Sequence, residues 1–249
     1  MLKFNFLPKF SIIIFCSFIL FTIIGTLSHE FGHITVAEYF GYETKLNYGS
    51  MSFFEKGYYE DENVKEIENL IKKYKLENYE NWTNDLKLKI EENNLIIKDR
   101  YPRNEIHDLW ITIGGPAQTL LTSCIGLFIL FLRRKTRKDQ FKLVDWLAVF
   151  MSLFVLREVF NFITAIYGSM LYSKSNFHTD EFRISRYLGL NEWIIPTIAL
   201  MIGLLISCYV VFKIIPIKYR FTFIVSGLVG GISGFAIWLG FLGEALFNS

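Results

Sequence analysis

The chain has 249 residues, 52% of them hydrophobic and 25 of them phenylalanine, with a mean hydropathy of +0.31. That is too apolar for an ordinary soluble domain and points to several membrane spans. A net charge of +2 argues against nucleic acid as a partner, and the information in the charges lies in where they sit.

The N-terminus carries Lys3 and Lys9 ahead of an apolar run, as a signal peptide does. No small-residue cleavage site follows, so the run is expected to be retained as a membrane span. It stays apolar and helical from about residue 10 to about residue 40, and it contains His29-Glu30-Phe31-Gly32-His33. Ionisable side chains at membrane depth are expensive and mark function. Next comes a polar insert, residues 41–108, with 11 lysines and arginines against 15 acidic residues. Within it, the aromatic segment 46–60 with its central glycine predicts a short hairpin or an extended segment. Val64, Ile67, Leu70, Ile71 and Tyr74 recur at helical spacing and predict an amphipathic helix. Asn81-Trp82-Thr83 matches a glycosylation sequon, a pattern too common by chance to carry weight.

Four further apolar segments reach the roughly 20 residues that cross a bilayer, at about 109–132, 144–172, 193–215 and 221–247. The expected fold is an all-α integral membrane protein of about five transmembrane helices, with a small polar α/β insert between the first two. The expected organisation is a first helix over 1–40, the insert over 41–108, and four more helices over 109–249. Basic residues cluster at the N-terminus, in 133–142 and in 213–220. All three fall on one side of a five-span chain, which predicts a cytoplasmic N-terminus and a site facing the extracytoplasmic side. Cys16, Cys124 and Cys208 each sit in an apolar run and form neither a disulfide framework nor a CxxC site.

In HExxH the two histidines stand one helical turn apart on one face, where both imidazoles reach a single Zn²⁺. Glu30 is offset around the helix towards a water on the ion. Zinc acidifies that water, and Glu30 takes its proton and passes it to the leaving amine. A catalytic zinc needs a third protein ligand and an open position. The stretch after the third span offers His178, Asp180 and Glu181 in a short helix capped by Thr179 and ending near Gly189. Asp180 is the favoured ligand, with Glu181 and His178 as alternatives. Gly114-Gly115-Pro116 opens the second span and is expected to bend it and line the site. Arg157, Glu158 and Asn161 lie inside the third span, which must rotate or kink to keep Arg157 and Glu158 from lipid. Asn161 is a candidate to bond a substrate backbone or an oxyanion.

HEFGH at 29–33, GGPAQTLL at 114–121 and an aspartate after the third span together resemble the site-2 protease family of intramembrane zinc metalloproteases, as a divergent, minimal member. The resemblance implies His29, His33 and Asp180 as ligands of one zinc per chain, with Glu30 as general base. It implies peptide-bond hydrolysis in a membrane-anchored protein or a hydrophobic peptide within the lipid bilayer. The third ligand here sits in His-Thr-Asp-Glu, where that family commonly has an Asn-Pro and Leu-Asp-Gly context. Two other readings share the motif: a membrane gluzincin with Glu181 or Glu158 as third ligand, and a non-catalytic metal transporter or sensor that needs no basic Glu30.

Overall fold

The structure, a computed structural model, describes residues 5–74, 82–171 and 177–247. Asn81 of the sequon and residues 172–176 of the third-ligand loop lie outside the described residues.

The first helix, α1 (Pro8–Tyr39), opens with proline in its first turn, where the missing N–H costs nothing. It ends at Gly41, whose φ of +86° lets the Tyr42 N–H turn back to the Ala37 carbonyl. The hairpin follows, with β1 (Glu43–Leu46) antiparallel to β2 (Met51–Phe54) and Leu46 opposite Met51. A 3-10 turn at Tyr58–Glu60 leads into α2 (Glu62–Tyr74). A second helix in the insert, α3 (Asn84–Arg100), is capped by the Thr83 hydroxyl. Asn93 bridges α2 and α3 by accepting from Asn63 and donating to Glu66.

α4 (Glu105–Leu132) continues as helix through Gly114-Gly115-Pro116, with Pro116 inside it. Proline leaves one carbonyl unpaired but does not break the helix when neighbours cover it. The basic loop contains a short turn of helix, α5 (Thr136–Asp139). The third span is kinked: α6 (Leu143–Ser152), a 3-10 turn at Leu153–Val155, then α7 (Leu156–Leu171). The tighter turn re-aims the helix immediately before Arg157 and Glu158. α8 (Asp180–Tyr187) is short and ends before Gly189, φ +65°. Two more spans complete the chain. α9 (Ile194–Tyr209) closes in a π-turn, and α10 (Ile217–Ile237) leads through a π-turn at Trp238–Leu242 into α11 (Gly243–Phe247). Among the described residues, five helices are long and apolar enough to cross a membrane, and the chain is a multi-pass membrane protein.

α1 is the hub. Its first half packs on the glycine face of α10, where Gly227, Gly230 and Gly234 admit Phe18, Phe15 and Thr22. With little gain from burying apolar surface in lipid, such close small-residue contacts hold helices together. A core of Ile14, Leu130, Val149, Phe150, Val210 and Phe223 fills the same end of the bundle. The second half of α1 packs on the start of α4. There Gly32 meets Gly114 backbone to backbone, and Gln118 donates to Ser28. The hairpin folds back along α1, and its tip is pinned by the Trp238 indole N–H to the Tyr48 carbonyl at 2.6 Å. A four-residue strand covers about 13 Å. His29 lies ten residues, about 15 Å, before the end of α1, so the tip returns to about the depth of the histidines.

Candidate metal and catalytic site

Three elements meet at the histidines. α1 supplies His29, Glu30 and His33, all buried, and α4 supplies the wall behind them. α8 brings Asp180 in its first turn. That short helix is held by Phe182, which is buried between Phe177 and Trp193, and by Ser185, whose hydroxyl accepts the Ile195 N–H at 3.2 Å. One oxygen of Asp180, Oδ2, lies 2.9 Å from His29 Nε2 and 3.2 Å from His33 Nε2. Its other oxygen faces Arg183 Nη1 at 3.7 Å.

The far side of each ring is fixed. His33 Nδ1 donates to the Ile111 carbonyl at 2.6 Å, and His29 Nδ1 faces the Thr119 hydroxyl at 3.0 Å. The Ile111 carbonyl only accepts, and at 2.6 Å it outweighs the Gly115 N–H that approaches the same nitrogen at 3.3 Å, so Nδ1 of His33 carries the proton and the Nε2 of a neutral His33 is bare. A bare nitrogen and an acceptor-only carboxylate oxygen then face each other at hydrogen-bond distance with no proton between them. A bound cation resolves that conflict, and so does a second proton on His33, which makes the contact an imidazolium–carboxylate pair. The candidate ligand atoms of His29, His33 and Asp180 all lie within 4.8 Å of one another. Their 2.9 and 3.2 Å separations approach the roughly 3.3 Å edge of a tetrahedral zinc site. Gly115 keeps the space open, because a Cβ there would strike Nε2 of both His29 and His33. The donor set, the fixed outer nitrogens and this cradle fit zinc.

Glu30 is buried and does not join the histidine–aspartate group. Its Oε1 lies 3.7 Å from Arg157 Nη2 across the kink of the third span. Arg157 keeps a buried Nε without a partner among the described residues.

The alternatives lie elsewhere. His178 is exposed. Glu181 is buried, accepts from the Thr179 hydroxyl at 2.7 Å, and lies beside Glu158 rather than with the histidines. Thr179 therefore sits at the N-cap position of α8, but its hydroxyl is spent on Glu181 rather than on a backbone N–H. Gly114 and Gly115 are against the histidines, and Pro116 follows them on the same turn of α4. Asn161 is half-buried on α7, and its backbone carbonyl accepts from the Thr164 hydroxyl. The sequence reading did not single out Thr119, the Ile111 carbonyl or Gln118. Gln118 and Thr119 stand within GGPAQTLL, four and five residues past the first glycine, where helical spacing turns them to the same neighbour. Comparison with protein-family models, with curated proteins and with solved structures finds no match for this chain.

Proposed function

We propose that this protein is an intramembrane zinc metalloprotease that hydrolyses a peptide bond of a membrane-anchored protein or hydrophobic peptide. The observation that carries the reading is the convergence of candidate ligand atoms of His29, His33 and Asp180 within 4.8 Å of one another, with His33 Nδ1 held against the Ile111 carbonyl and a glycine cradle beside both Nε2 atoms. His29, His33 and Asp180 would hold one zinc. When bound, zinc supplies Lewis acidity, making water nucleophilic near neutral pH and polarising the scissile carbonyl.

The chain's own residues supply the rest. Glu30 receives a proton at its carboxylate and delivers it to the departing amine nitrogen, so water adds across the C–N bond to give a carboxylate and an amine. Arg157 orients Glu30 and leaves its Nε–H for charge that develops near the scissile carbonyl. Thr119 and the Ile111 carbonyl hold the imidazoles in orientation. The hairpin offers a strand edge to an unwound substrate segment, and deletion of residues 46–54 is expected to abolish cleavage. The N-terminus is cytoplasmic on this reading and the site opens to the other side, which reporter fusions at each loop would test.

The experiment is a turnover assay on purified protein and its Glu30→Gln variant with quenched fluorescent apolar peptides. Hydrolysis by wild type, lost in a variant that keeps its zinc, supports the enzyme. Metal-dependent behaviour indifferent to Glu30 would instead favour a transporter or sensor.

A further inference from the structure

A cavity of about 340 Å³ lies between α1, the kinked third span, α9 and α10. On α1 it runs along Phe18, Phe21, Thr22, Gly25 and Thr26, the turns that lead directly to His29. From Phe18 to Thr26 that run covers about 12 Å. Two residues at its site end touch the chemistry: Thr119, which holds His29, and Arg157, which pairs with Glu30.

The walls say what fits. Thr22 and Thr26 spend their hydroxyls on their own helix, donating to the Phe18 and Thr22 carbonyls. That leaves the Ser207 hydroxyl and the Arg157 guanidinium as polar groups with unused hydrogen-bonding capacity. An extended peptide segment in this space would leave nearly every backbone N–H and C=O unpaired, at a cost of several kcal/mol for each group in an apolar medium, and a helix, about 10 Å across, is too wide for a cavity of this volume. A hydrocarbon chain needs no partners. Ile163, Leu228 and Ile232 line the cavity and are also exposed on the outer, lipid-facing surface, so the space opens sideways to the bilayer. Phe160 of α7 and Phe235 of α10 stack at 4.5 Å and 4° along that opening.

We infer that this cavity binds a medium-length hydrocarbon chain carried by the substrate beside its scissile amide, so that the preferred substrate is an acylated peptide. The inference rests on the hydrolase reading above and names its substrate class. The chain enters from the bilayer past the Phe160–Phe235 pair and lies along α1. The peptide portion stays outside the cavity, where the hairpin edge and the zinc ligands can meet its backbone.

Two glycines make the inference testable. A Cβ at Gly25 meets only the Phe154 ring, at 3.8 Å, and one at Gly231 meets only Phe18, at 3.9 Å. Both face the cavity, so Gly25→Leu and Gly231→Leu fill it from opposite walls. Gly168, with nothing within 4 Å, supplies a control outside it. One apolar peptide is prepared with a free, octanoyl, decanoyl, dodecanoyl or palmitoyl N-terminus, and kcat/KM and zinc content are measured for each protein. The expected result is a rise in kcat/KM of about tenfold for every two methylenes buried, levelling off once the chain exceeds the cavity. Gly25→Leu and Gly231→Leu flatten that rise while keeping their zinc, and Gly168→Leu does not. Equal kcat/KM for all chains, or a rise that persists in both filled variants, overturns the inference and leaves the hydrolase reading standing. If zinc-loaded protein hydrolyses none of the peptides, the hydrolase reading fails. The cavity is then read by fluorescence anisotropy of a labelled dodecanoyl peptide. Saturable binding weakened by both filled variants supports the acyl site, and its absence overturns it. Native mass spectrometry showing a bilayer phospholipid that the dodecanoyl peptide does not displace also overturns it.

Discussion

Gly32 of α1 and Gly114 of α4 meet backbone to backbone: a Cβ built on either lands against the other's carbonyl oxygen. This contact sets how near His33 comes to the Ile111 carbonyl, and so which of its nitrogens is free. Gly32→Ala or Gly114→Ala should force α1 and α4 apart and destabilise the protein by roughly 1–3 kcal/mol. Thermal unfolding in detergent measures this, with Gly168→Ala, which meets nothing, as the neutral comparison. Unchanged melting in Gly32→Ala would contradict the packing described.

Gly115 is different, because its missing side chain leaves room for a ligand rather than for a helix. Gly115→Ala places a methyl group against Nε2 of His29 and His33. Zinc content should fall sharply while far-ultraviolet circular dichroism stays near wild type. A fully loaded Gly115→Ala protein would mean that the metal is not held between those nitrogens.

On the proposed reading, Thr119 would act on the zinc only through His29, whose Nδ1 its hydroxyl meets at 3.0 Å. Thr119→Val keeps the shape of a fully buried side chain and removes the hydroxyl. Zinc affinity should drop by about 10–100-fold, the usual cost of losing such an orienting bond, and Thr119→Ser should restore most of it. Competition with a chromophoric chelator gives the constant. Equal affinity in Thr119→Val would show that His29 is oriented without this bond.

The insert should loosen in acid. Burial pushes the Asp61 carboxyl up, but the Arg100 guanidinium, the Asn63 N–H and the Tyr101 hydroxyl together hold it below its ordinary range. Glu66 is likewise held low, by Lys89 at 2.6 Å and by Asn93. Both groups release their protons more readily when folded. Their contribution is therefore complete above the unfolded carboxylate range, about pH 4, and is lost as pH falls through the lower folded values. Hydrogen exchange of α2 and α3, corrected for intrinsic rate, should rise between pH 5 and pH 3 in wild type. A combined Asp61→Asn, Glu66→Gln variant should lack that step, and an identical rise in it would contradict the assignment.

Much of this arrangement is legible in the sequence. Five apolar runs give five long helices, because bilayer-length hydrophobicity is a strong signal. The period of Val64, Ile67, Leu70 and Ile71 gives α2, and the aromatic stretch around Gly49 gives the hairpin. α3 is not legible in the same way. LKLKIEENNLIIKDR alternates at its start like a strand, and it becomes a helix because Thr83 caps it and Asn93 ties it to α2. Pro116 reads as a break in helical regularity, but α4 continues through it. HExxH names His29 and His33 from spacing alone. Asp180 is 147 residues beyond His33, and only the packing of Phe182 and Trp193 brings it to them. Arg157 is visible as a costly charge in a span, but its partner Glu30 is not, since the 3-10 turn that aims it has no clear sequence mark.

The central claim is that His29, His33 and Asp180 hold one metal ion. Elemental mass spectrometry of detergent-purified protein tests it most directly, comparing wild type with His33→Ala, Asp180→Ala and Glu181→Ala. The account predicts one zinc per chain in wild type and in Glu181→Ala, and loss of that zinc in His33→Ala and Asp180→Ala. A wild-type protein that binds no zinc even when the metal is supplied throughout purification would contradict it. The contact of His33 with Asp180 would then be an imidazolium–carboxylate pair that joins α1 to α8.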